Sequence, residues 1–148
     1  LMERGHLSFD CPLLLDEPIH LRQLTKIAQI INSLPINEEI IVYRIGDTLK
    51  DALSLSNLEM RSKYIRSYKY CTKPEVEILV IIKERLYDKY IKVSKTTKPK
   101  TFINKCMPSF DPSKYFHEHD MVYALREYKR IKKHKGNELY LIDLLNTK

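Results

Sequence analysis

The sequence predicts an α/β fold, a small central sheet of few strands with a majority of helices in a single domain, and three observations point that way. The run Ile40-Ile41-Val42-Tyr43-Arg44-Ile45, rich in β-branched residues and closed by Gly46-Asp47, reads as a strand. Thr72-Lys73-Pro74-Glu75-Val76-Glu77, followed by Ile78-Leu79-Val80-Ile81-Ile82, reads as a helix start that plunges into a core. Thr72 and Glu75 have the spacing of a capping box, and Pro74 supplies a fixed φ in the first turn. Finally, three glycines in 148 residues argue against a turn-rich all-β sandwich.

The length admits one domain with a real core over residues 1–148, and Leu1-Met2-Glu3-Arg4-Gly5 is an opening that also suits a fragment of a longer protein. No apolar run approaches the roughly 18 residues that a membrane span requires, and no charged start leads into a signal-type segment. The expectation is a soluble, cytoplasmic protein with no membrane partner. Cys11, Cys71 and Cys106 are odd in number and have no close spacing suited to zinc or a redox pair. A formal charge of +7 favours an anionic partner without proving one.

Taken in order, Cys11 to Pro18 reads as extended between two prolines. A helix follows, with Leu21, Leu24, Ile27, Ala28, Ile31 and Leu34 on one face, and Pro35 marks its end. After the strand, Leu49 to Tyr68 reads as a loop or short helix and then a helix from about Asn57, with a short strand at Tyr68-Lys69-Tyr70-Cys71. The central helix is expected to continue to Lys92, with Leu86, Tyr87, Tyr90 and Ile91 as its half-wet stripe. Ser94 to Lys100 is a cationic loop facing solvent or phosphate, and Thr101 to Met107 a short helix with Phe102, Ile103 and Cys106 inward. Residues 117–148 form a basic helix from about Asp120 to Lys133, then a short amphipathic helix, Glu138 to Leu145, docked on the core.

Two groups of side chains carry chemistry. Asp47 stands at the end of a strand, where open α/β sheets place their ligands, and Asp51 lies four residues on. With Glu75 and Glu77 at the helix entry, they make an all-oxygen set suited to Mg²⁺. The alternative is that Asp47 and the two glutamates are caps and first-turn charges. The second group is basic: Arg61, Lys63, Arg66 and Lys69 interleaved with tyrosines, then Arg126, Lys129, Arg130, Lys132, Lys133 and Lys135. Cations take phosphates while aromatic faces accept bases, although a solvated helix face has the same composition. His117-Glu118-His119-Asp120 is a poor metal motif, because His117 and His119 would point about 200° apart on a helix.

The strand ending at Asp47, the nearby Asp51 and Lys73-Pro74-Glu75-Val76-Glu77-Ile78-Leu79 running into an apolar helix together resemble the later half of Toprim-like proteins of bacterial anti-phage and abortive-infection systems. The likeness covers Glu38 to Ile91, about a third of the chain, with the two acids four residues apart rather than in the family's Asp-x-Asp step. It implies an antiviral-defence setting and a metal-dependent nucleic-acid site. As a nuclease, the chain would use Asp47, Asp51 and Glu77 to hold Mg²⁺ for phosphodiester cleavage, with the cations after Arg126 steering the backbone. A non-catalytic nucleic-acid-binding module and a protein-interaction subunit are the alternatives, and a protein partner or homo-oligomer stays open.

Overall fold

The computed structural model describes residues 29–31, 33, 39–47 and 65–145. They form an α/β structure around a three-stranded parallel sheet of order β1-β2-β3, with β1 Ile40–Gly46, β2 Ile65–Cys71 and β3 Glu138–Tyr140. Between β2 and β3 the chain runs through α1 Glu77–Lys83, α2 Tyr87–Val93, α3 Pro99–Cys106, α4 Pro112–Glu118 and α5 Val122–Ile131. A 3₁₀ turn, Leu141–Leu144, follows β3 directly. Gln29 to Ile31 and Ser33 are helical, in line with the first expected helix; the rest of it, and the extended stretch before it, lie outside the described residues.

β1 divides its side chains between two environments, as the alternation of a strand requires. Ile40 and Val42 pack with Ile31 and Ile65, whereas Tyr43 packs on the larger core and its ring stacks 5.9 Å from Tyr68. That larger core gathers around α1, whose Ile78, Leu79, Val80, Ile81 and Ile82 are all buried, as an apolar run without a polar face demands. Ala124, Leu125 and Tyr128 of α5, Ile103 of α3 and Tyr115 of α4 complete it. Cys106, expected to point inward, is exposed at the end of α3, while Cys71 is buried. Burial raises the Cys71 thiol pKa, which disfavours thiolate chemistry there.

Three expectations change. The helix of residues 74–92 is two helices, because the chain turns at Glu84 and Arg85. Leu86 N–H donates to Ile81 O at 2.8 Å and Arg85 N–H to Ile82 O at 3.0 Å, the paired bonds of a Schellman ending, with Arg85 at φ +57° where glycine is usual. Residues 65–67, expected in a helix, are strand, because β2 pairs with β1 over seven positions from Ile40 opposite Ile65 to Gly46 opposite Cys71. Glu138 to Tyr140 is likewise a strand rather than the start of a docking helix, held by pairing with Lys69, Tyr70 and Cys71. Such non-local pairing leaves little periodicity in so short a segment.

The start of α1 also differs in detail. Val76 is the residue preceding the helix and no side chain caps it, so Thr72 and Glu75 do not form the expected box. Pro74 follows a cis peptide bond and lies ahead of the helix. Thr72 instead extends the sheet, its N–H donating to Gly46 O at 3.1 Å with the side chain buried. The basic helix spans Val122–Ile131, opened by Asp120, whose Oδ1 accepts from Val122 N–H at 2.9 Å.

Candidate acidic cleft and its surroundings

The ends of β1 and β2 lie side by side, and the next residues of each, Asp47 and Thr72, open into one cleft of about 480 Å³. Its walls include Asp47, Glu75, Glu77 and Lys100. The cleft lies beyond the carboxyl edge of parallel strands, the usual ligand position in open α/β sheets. Three of the four expected acids therefore share one cleft; Asp51 lies outside the described residues.

Each acid has a different setting. Glu75 reaches the start of α3, where its Oε2 accepts from the Lys100 backbone N–H at 3.2 Å. It satisfies one of the donors that a helix start leaves unpaired, so the glutamate caps a helix other than the one it precedes. Glu77 is the first residue of α1 and is only 8 % exposed. Its carboxylate has no hydrogen bond or ion pair among the described residues. Asp47 is exposed at the strand end. As the side chains stand, no group of three or more His, Cys, Asp or Glu among the described residues is gathered tightly enough to hold a metal by itself. Mg²⁺ commonly needs fewer protein ligands than that, binding through one or two carboxylates with water and substrate phosphate completing its shell.

The basic residues are less uniform than the sequence implies. Lys129 Nζ is 2.6 Å from Asp143 Oδ1 and lies over the Tyr140 ring, so it fastens the 3₁₀ turn to α5. Arg130 Nε pairs with Glu127 at 2.9 Å, Lys132 Nζ lies 5.7 Å from the centre of the Tyr87 ring, and Arg66 Nε pairs with Glu39 at 2.5 Å. Arg126, Lys133 and Lys135 are exposed, and Lys69 is half-buried on β2. Arg61 and Lys63 lie outside the described residues. His117 is exposed, whereas His119 stacks 4.1 Å from Tyr115 and its Nδ1 is 3.0 Å from Tyr115 O, so the His-x-His pair does not converge.

A largely half-buried polar network, unseen in the sequence, fastens Lys73, which lies between the cleft residues Thr72 and Glu75. His134 Nδ1–H donates to Leu139 O at 3.1 Å, which leaves Nε2 to accept from the Tyr128 hydroxyl at 3.0 Å. The Tyr128 oxygen accepts from Lys73 N–H at 2.6 Å, just before Glu75 and Glu77. Tyr140 stacks on His134 at 3.9 Å, its hydroxyl accepts from the His134 backbone N–H and donates to Lys132 O. Lys73 Nζ pairs with Glu138. Burial lowers the His134 pKa below its ordinary 6.5 and pushes the Tyr128 hydroxyl up to about 12. In the sequence this network shows only as a spacing of aromatic residues around one histidine.

No protein-family model matches the chain, and no curated protein or solved structure matches it either. Among the described residues, no helix is long and apolar enough to cross a membrane.

Proposed function

We propose that the chain is a cytoplasmic nucleic-acid-acting domain and that its cleft supports metal-assisted phosphodiester cleavage. The observation that carries this reading is the cleft: Asp47, Glu75 and Glu77 line one cavity beyond the carboxyl ends of β1 and β2, and Glu77 has no partner among the described residues. Carboxylates gathered around one cleft favour a positive charge between them. An all-oxygen donor set favours a hard cation such as Mg²⁺. Glu77 and Asp47 would hold it, with the free oxygen of Glu75 as a third donor and Asp51 the fourth expected acid. When bound, the ion supplies the charge that polarises a phosphodiester and activates water. Arg126, Lys133 and Lys135, exposed and outside the ion pairs described above, would attract the polyanion.

The test is cleavage of single-stranded and duplex DNA and RNA by the purified chain with MgCl₂ or MnCl₂. Activity should require the metal and disappear in Asp47→Ala. A correctly folded, metal-supplied protein that cuts none of these substrates would overturn the enzymatic reading. A second reading, a non-catalytic binding module, is favoured by the looseness of the acidic set. It predicts salt-dependent binding without cleavage, unchanged in Asp47→Ala.

A further inference from the structure

We propose that Tyr128, His134 and Lys73 form a proton-operated latch: when His134 takes a proton at Nε2, the Tyr128 hydroxyl turns from the imidazole to the Lys73 carbonyl and draws in the corner between β2 and α1. The hydroxyl has one proton and two acceptors within reach. His134 Nε2 lies 3.0 Å from the Tyr128 oxygen, and the Lys73 carbonyl oxygen 3.4 Å. The Lys73 N–H, at 2.6 Å, takes the accepting side of the same oxygen. The Leu139 carbonyl can only accept, so it holds a proton on His134 Nδ1 and leaves Nε2 as the acceptor of the neutral ring. The nearer acceptor takes the hydroxyl. The Lys73 carbonyl, to which no other donor among the described residues bonds, lies at a distance long for an O–H···O bond.

A proton on Nε2 reverses this arrangement. Imidazolium has two donors and no acceptor, so Nε2–H donates to the Tyr128 oxygen and the hydroxyl proton has only the Lys73 carbonyl left. An ordinary bond there requires the carbonyl about 0.4 Å nearer. Lys73 is flanked in the chain by Thr72 and Glu75, both walls of the cleft, so the movement is delivered to the cleft. His134 is half-buried and open to a proton from solvent, whereas Tyr128 is 1 % exposed and closed to competing water. The groups that face His134 are Tyr128 from α5, Glu138 and Tyr140 from β3, and Lys73 from the connection after β2, with Cys71 of β2 beside Tyr128. Burial is the largest influence on the imidazole and lowers its pKa; Glu138 favours the imidazolium, Lys73 opposes it, and those two are paired with each other.

The experiment is a pH titration of the isotope-labelled chain by NMR, following the histidine ring nitrogens, the Lys73 carbonyl carbon and the Thr72 amide together. Above the His134 midpoint the ring should be the Nδ1–H tautomer. Through that midpoint the Lys73 carbonyl carbon and the Thr72 amide should shift with the ring. His134→Gln should abolish their inflection. Tyr128→Phe should also abolish it while His134 still titrates, at lower pH because the imidazolium has lost its hydrogen-bond acceptor. Glu138→Gln should keep the inflection, since the ion pair with Lys73 is not its source. A neutral ring protonated at Nε2 overturns the proposal, as does a Lys73 carbonyl carbon or Thr72 amide that stays flat while His134 titrates. An inflection kept in His134→Gln, or lost in Glu138→Gln while His134 still titrates, overturns it as well. The parent titration and His134→Gln decide the matter even where Tyr128→Phe does not fold.

Discussion

Glu77→Gln separates stability from function at one atom group. Glutamine keeps the shape of the side chain and removes a charge that is 8 % exposed and has no partner among the described residues. The carboxylate oxygens reach the solvent of the cleft, and an acid in the first turn of a helix is favoured by about 0.3–1 kcal/mol. The metal-free variant should therefore be less stable than the parent by about that amount, or about 1–3 °C in Tm for a chain of this size. With metal the gap widens. A ligand at about 100 times its Kd stabilises the parent by about 2.7 kcal/mol, and the variant should lose most of that gain. The assay is thermal unfolding by circular dichroism in EDTA and in a MgCl₂ series. A variant whose Mg²⁺ shift stays intact would refute the argument that Glu77 is a cation ligand.

Other outcomes follow from the packing. Arg85→Gly relieves a left-handed residue at the end of α1 and should stabilise by about 1 kcal/mol in urea unfolding, after the extra chain entropy of glycine. Tyr128→Phe leaves Lys73 N–H and His134 Nε2 without their partner and should cost about 2 kcal/mol in the same assay. His134 has its pKa lowered by burial, so below about 6.5 the unfolded chain binds more protons than the native one. Stability should be full above that pH and decline as pH falls through it, and His134→Gln should flatten this slope in pH-dependent urea titrations. At the alkaline end, the raised Tyr128 pKa implies stability lost as pH rises from 10 towards about 12, a loss that should be smaller in Tyr128→Phe, though not absent, because burial raises Tyr70, Tyr90 and Tyr115 as well.

The sequence by itself determined the α/β class, the strand Ile40 to Ile45 and the burial of Ile78 to Ile82, because β-branching and a run with no polar side leave few alternatives. It also singled out Asp47, Glu75 and Glu77 as acids near element ends. Their convergence was not legible there. Asp47 and Glu75 are far apart in sequence, and they share a cleft because β1 and β2 run parallel in one register and end together. The same non-local pairing made a strand of Glu138 to Tyr140, where local periodicity suited a helix. Tertiary contact decided that Lys129 is engaged, since Asp143 claims it, whereas Glu127 and Arg130 form a local i,i+3 pair on α5 and Lys100 stays open at the cleft. Composition counts charges; only the fold decides which of them a neighbour has already neutralised.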